Sequence, residues 1–168
     1  MAVEVLRADY ADPAHAAAVV DLLDAYARDP MGGNHPLSPA VREGLIPALA
    51  ARPDALSVLG FVDGVPAGLV NVFEGFSTFK CAPLFNIHDV AVLPEYRGLG
   101  LARRMLALVE AIAVERGCCK LTLEVLEGNS PAKALYLSLG FAGYALDPEL
   151  GQAQFWEKAL VSGADPQA

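Results

Sequence analysis

Hydrophobic and polar positions change their period several times along the chain, and each change marks an element. Residues 3–8 alternate and read as a first strand. Asp12-Pro13 supplies a capping side chain and a helix-starting proline. Val19, Leu22, Leu23 and Tyr26 then recur at i, i+3, i+4 and i+7, the stripe of an amphipathic helix. The loop Asp29-Pro30-Met31-Gly32-Gly33-Asn34 ends it. Ser38-Pro39 opens a second helix, with Val41, Leu45 and Leu49 on one face and Arg52-Pro53-Asp54 as its stop. Apolar runs at 56–62 and 65–73 flank Asp63-Gly64, a dipeptide that favours a tight hairpin. Residues 75–83 read as a loop or frayed strand end, and residues 85–93 as a strand stopped by Pro94.

A glycine-rich stretch, 97–102, opens the next helix, whose buried face is marked by Leu101, Met105, Leu108 and Ile112 and whose stop is Gly117. Residues 120–126 read as a strand. Asn129-Ser130-Pro131 starts a short helix ending at Gly140, and residues 141–144 and 155–160 read as final strands. The first half of the sheet is expected to be antiparallel. The strands at 85–93 and 120–126 are joined through a helix, so they are expected to be parallel neighbours with a right-handed crossover. The expected fold is α/β of the α+β type: a mixed, mostly antiparallel sheet of seven strands with four flanking helices. At 168 residues this is one domain, placed at 1–161, with a polar, flexible tail at 162–168.

Composition narrows the class. Hydrophobic residues make up 54% and charged ones 19%, and the mean hydropathy of +0.37 excludes intrinsic disorder. A net charge of −8 is the opposite of what a general nucleic-acid binder needs, and it would repel an anionic membrane surface. No apolar run is long enough to span a bilayer, and the N-terminus lacks the basic and apolar regions of a signal peptide. Cys81, Cys118 and Cys119 form neither a disulfide framework nor a metal-ligand spacing, so no metal is expected and a reducing cytoplasm fits.

The chemistry is carried by two motifs. Arg97-Gly98-Leu99-Gly100-Leu101-Ala102-Arg103 follows a strand and begins a helix, where unpaired amides and the helix dipole can hold a pyrophosphate. A dinucleotide G-x-G-x-x-G would need glycine where Arg103 stands, and a Walker loop would need Gly-Lys-Ser/Thr. The spacing that does fit is Arg/Gln-x-x-Gly-x-Gly/Ala, at Arg97, Gly100 and Ala102. Downstream stands Asn129-x-x-Ala132-x-x-Leu135-Tyr136-x-x-x-Gly140-Phe141. With the lead-in Val90-Ala91-Val92-Leu93-Pro94-Glu95-Tyr96, the two motifs in order resemble the GNAT acetyltransferase superfamily over about residues 55–160.

That resemblance implies an acetyl-CoA-dependent N-acetyltransferase with the two parallel strands splayed around the thioester. It implies that the backbone of Val90, Ala91 and Val92 pairs with the pantetheine arm. Arg97 and the amides of Gly98, Leu99, Gly100, Leu101, Ala102 and Arg103 would hold the pyrophosphate, with Asn129 on the coenzyme arm. Tyr136 matches the tyrosine that protonates the departing thiolate. His88 lies on the pantetheine strand and is suited to take the amine proton, directly or through water. Uninterrupted alternation puts it on one face with Asn86 and Val90 and turns Asp89 to the other. Glu124 on the neighbouring strand is the competing base. His15 and His35 are assigned no role.

Gly75-Phe76-Ser77-Thr78-Phe79 and Asn86-Ile87-His88-Asp89-Val90-Ala91-Val92 look like the diamine acetyltransferase branch. That branch usually has glutamate at the position of His88 and an acidic residue near the end of its first helix, where Ala27 and Arg28 stand here. The implied partner is a small-molecule amine, and pairing of the last strands between subunits implies a homodimer. Alternatives are acetylation of a protein or peptide amine and, from a different class, a non-catalytic acyl-CoA-binding sensor module.

Overall fold

The elements form where local chemistry starts and stops them. In a computed structural model that describes residues 1–160, β1 (Val3–Arg7) leads into α1 (Pro13–Arg28). Asp12 caps α1 by accepting from the amides of Ala14 and His15. Ser38 caps α2 (Pro39–Ala50) by accepting from Val41 N. β2 (Ala55–Val62) and β3 (Val65–Ser77) meet at the Asp63-Gly64 turn, where both residues have positive φ, 49° and 79°. β4 (Ala82–Val92) pairs with β3 from Ser77↔Ala82 up to Gly68↔Val92, so the expected loop at 75–83 shrinks to a tight hairpin end.

After β4 come α3 (Leu101–Glu115), β5 (Leu121–Leu123) and α4 (Ser130–Ser138). The sheet runs β1-β2-β3-β4-β5, antiparallel except for the parallel pair β4–β5. Met1–Ser130 forms one compact unit, and a second begins at Pro131. The expected tail at 162–168 lies outside the described residues.

Three expectations are corrected. Among the described residues the sheet has five strands, not seven, because 141–144 and 155–160 make no ladder. An apolar run becomes a strand only with a partner to satisfy its backbone. β5 stops at Leu123 rather than at 126, because its pairing with β4 ends at Ile87↔Leu123. On α3 the fully buried positions are Leu101, Met105, Leu106, Val109 and Ala113, while Leu108 and Ile112 sit at the margin.

Both faces of the sheet are covered. Ala55, Leu59 and Leu69 pack with Val19, Leu22 and Leu49 of α1 and α2. Their chain neighbours Gly60 and Gly68 therefore face the other way, toward α3. A Cβ at Gly68 would stand 2.7 Å from Met105 Cε, 3.1 Å from Leu101 Cδ2 and 3.2 Å from the Ala91 carbonyl oxygen. Gly60 is as tightly covered, by Leu101 and Met105. Hydrogen alone at these two positions lets α3 lie close on the strands. Gly68→Val should therefore destabilise the protein by about 1–3 kcal/mol through overpacking, read as a lower urea midpoint at unchanged slope.

Candidate active site

The site is built around an extra residue in β4. Asn71 and Val72 are consecutive on β3, yet they pair with Asp89 and Ile87, leaving His88 unpaired as a β-bulge. The bulge resets the alternation. Asn71 and Phe73 lie two and four residues after Leu69 and so share its α1 side. Asp89 joins them through a hydrogen bond from Asn71 Nδ2 to its Oδ2 (3.0 Å). His88 joins them through an edge-on ring contact with Phe73, 5.4 Å between centroids at 86°. The expected opposition of His88 and Asp89 is thus corrected: both project toward the α1 side.

β4 and β5 part company at the same point. Asn86 Nδ2 spans the last paired turn of the ladder, donating to Thr122 Oγ1 (3.1 Å) and reaching Glu124 Oε1 (3.3 Å) just past it. Among the described residues, β4 has no strand on that side beyond Ile87. Leu93 N donates to Ala67 O on the β3 side (2.9 Å), so by alternation Val92 and Val90 turn their backbone groups toward the open edge, with Ala91 between them turned to β3.

The glycine loop lies at the end of this edge. Gly98 and Gly100 have φ of 80° and 75°, the left-handed region where a side chain is strained. Gly100 is the N-cap of α3. The amides of Leu101 and Ala102, in the first turn, have no intrahelical partner, and among the described residues no side chain caps that helix. Arg97, Arg103 and Arg104 bring cationic side chains to this short stretch of an acidic chain. Open space around both glycines, uncapped amides and positive charge fit an anionic ligand.

Arg97 also ties the loop to the end of α1. Its Nε donates to the Val92 carbonyl oxygen (3.1 Å) and its Nη2 to Asp29 Oδ2 (3.1 Å). Asp29 organises the α1–α2 connection by accepting from Met31 N (2.9 Å). The Met31 amide and then Arg97 hold the Asp29 carboxyl below its ordinary range. Tyr26, in the last turns of α1, has its phenol pushed up by burial and by the charges of Asp89 and Asp29.

Glu124 and the β4 residues belong to the first compact unit, as do the glycine loop and Asn129, which lies half-buried in the turn before α4. Tyr136 belongs to the second, buried on α4 with its ring 5.9 Å from that of Phe141. His15 accepts from Asp9 N through Nδ1 (3.1 Å), a structural bond. Asp89 was missed by reading β4 as uninterrupted. The available signal was two polar residues, Ser57 and Asn71, inside otherwise apolar strands.

An α1–α2 layer, a mixed sheet whose one parallel pair opens, and an uncapped glycine loop on the crossover helix define the acetyltransferase class of folds. A structure of a possible acetyltransferase from Clostridium difficile 630 matches with a TM-score of 0.75 at 18% identity, over 95% of this chain and 99% of that one. An aminoglycoside acetyltransferase from an uncultured soil metagenomic sample matches with a TM-score of 0.74 at 14% identity, over 94% and 97%. Residues 19–141 match the Acetyltransferase (GNAT) family, and the chain belongs to it. Thialysine N-epsilon-acetyltransferase from Sus scrofa is 32% identical over 105 residues, 60% of this chain and 58% of that enzyme. The Bos taurus enzyme of the same name is 38% identical over 68 residues, 40% and 39%. Streptothricin acetyltransferase from Streptomyces lavendulae is 41% identical over 77 residues, 45% and 41%. The aligned segments thus span between 39% and 58% of these relatives. Among the described residues, no helix is long and apolar enough to cross a membrane.

The carboxylates of this region set an acid limit. In Asp24, burial raises the pKa, but hydrogen bonds from Arg28 and the Leu37 amide, with the charges of Arg28 and Arg42, lower it further than burial raises it. Asp24 and Asp29 therefore both titrate below the ordinary value of about 4. Stability from these depressed groups is fully present above that value and is lost as pH falls through the folded values. Asp24→Asn should lower stability at neutral pH and flatten the acid slope below about pH 5, as read by urea midpoints across pH.

Proposed function

We propose that this protein transfers the acetyl group of acetyl-CoA directly to a primary amine of a small molecule. The observation that carries this reading is the parting of β4 from β5 after Ile87, with an uncapped glycine loop at the end of the same edge. An extended amide-bearing arm can pair with the edge-facing backbone of Val90 and with the Val92 amide, on either side of Ala91, while Arg97 holds the Val92 carbonyl. Its pyrophosphate can then meet the amides from Gly98 to Arg103, with Arg97 beside them and Asn129 on the arm. The thialysine and streptothricin enzymes act on small amines by name, which supports that substrate class.

In this reaction the amine nitrogen, stripped of a proton, attacks the thioester carbonyl. The C–N bond forms, the C–S bond breaks, and the thiolate leaves. His88, exposed at the bulge, takes the amine proton, with Glu124 as the competing base. Tyr136 returns a proton to sulfur. The family match over residues 19–141 crosses the boundary at Ser130 and so supports a single acetyltransferase domain, placed at residues 1–161. The free thiols of Cys81, Cys118 and Cys119 support a reducing, cytoplasmic setting. The exposed Phe155 and Trp156 support a homodimer through the C-terminal segment, checked by sedimentation; only monomer at high concentration overturns it.

A free-thiol assay with acetyl-CoA and a panel of amines, thialysine first, tests the reaction. Thiol release that needs the amine is expected. Coenzyme binding without release from any amine would make the protein a sensor module instead. Gly100→Leu should weaken coenzyme A at least tenfold, about 1.4 kcal/mol by calorimetry. Tyr136→Phe should lower kcat by about 10²–10⁴ with little change in acetyl-CoA affinity. His88→Ala should lower kcat/KM. If kcat/KM survives, Glu124 or a water chain is the base.

A further inference from the structure

A chain of polar side chains crosses the α1 side of the sheet and ends at Asp89. Tyr10 Oη lies 2.8 Å from Ser57 Oγ, Ser57 Oγ lies 2.6 Å from Asn71 Oδ1, and Asn71 Nδ2 lies 3.0 Å from Asp89 Oδ2. Ser57 and Asn71 are buried, 1% and 4% exposed. The direction of every bond follows from the last. A carboxylate only accepts, so Asn71 turns its amide nitrogen to Asp89 and its carbonyl to Ser57. The one Ser57 proton is then committed to Asn71, and Tyr10 must donate to Ser57. All the donors point toward Asp89.

Such a chain is costly to build for stability alone. Apolar residues of similar shape in adjacent strands would be about as stable, and a single break leaves a buried group unsatisfied. Here it fixes one carboxylate at the place where β4 opens. The neighbouring acids are neutralised: Asp24 by Arg28 and Arg42, Asp29 by Arg97. Among the described residues, no lysine or arginine pairs with Asp89, and its Oδ1 accepts no hydrogen bond. It is part-exposed, on the same side as His88, and close enough to Tyr26 to act on that phenol.

We propose that Asp89 binds the cationic nitrogen of the acceptor amine, and that Asn71, held by Ser57 and Tyr10, is the positioning residue that aims its carboxylate. The inference rests on the small-amine reading and names what selects the substrate: positive charge beside the bulge. No covalent step is added, since Asp89 holds the ammonium form before His88 or Glu124 takes its proton.

Steady-state kinetics with thialysine, alongside calorimetry with coenzyme A, test it. Asp89→Asn should raise the thialysine KM at least about tenfold with a smaller change in kcat and unchanged coenzyme A affinity, as expected for loss of a charge-assisted contact. Asn71→Leu should move KM the same way, and Tyr10→Phe, at the far end of the chain, by less. Coenzyme A binding reports that each variant is folded. An unchanged KM in Asp89→Asn overturns the assignment of the amine site. An Asn71→Leu protein that is only less heat-stable, with KM unmoved, overturns the positioning role. If the unaltered protein binds coenzyme A but acetylates neither thialysine nor any other amine, the small-amine reading itself has failed, which separates the two failures.

Discussion

His88 is one residue more than the β3–β4 ladder can pair, and much of the candidate site depends on that mismatch. A bulge bends its strand and sharpens the local twist. Here the bend coincides with the point where β4 leaves β5, so the sheet opens where that parallel pair ends. The same residue brings two polar side chains in succession to the α1 side. A regular strand would have sent one of them into the apolar layer under α3, where Ile87 and Phe85 are buried. Open edge and paired polar groups are thus two results of one insertion.

Charge is distributed to match. The chain is acidic overall, yet four of its eight arginines, Arg28, Arg97, Arg103 and Arg104, stand where α1 ends and α3 begins. Arg97 reaches from the edge of β4 to Asp29, so the connection after α1 and the entrance to the glycine loop share a clamp. Displacing that guanidinium would loosen both the Val92 carbonyl and the Asp29 turn. Asp89, by contrast, accepts from the neutral amide of Asn71, and among the described residues no lysine or arginine pairs with it.

Most of the fold was legible because its signals are local. Asp12-Pro13 and Ser38-Pro39 start helices through contacts made within three residues, and Asp63-Gly64 needs only its own backbone to turn the chain. The glycine loop was legible for the same reason. What could not be read was pairing. Nothing in residues 86–92 alone announces the bulge, since it exists only relative to β3, and so the orientation of Asp89 was misread. The apolar run at 155–160 has strand composition but no ladder, and the strand at 120–126 was cut to the length its neighbour would pair. Register is a property of two strands at once, and one strand's pattern carries half of it.

The bare glycines under α3 have a bearing on affinity. Gly60 and Gly68 let Leu101 and Met105 settle onto the strands, and Leu101 is also the first residue of the helix. The start of α3 is therefore seated on the sheet by its own side chain, one residue after the loop. An anion arriving there meets donors whose directions were paid for during folding, and little backbone entropy remains to be lost on contact. Small residues in the middle of the sheet in this way fix the direction of the amides at its edge.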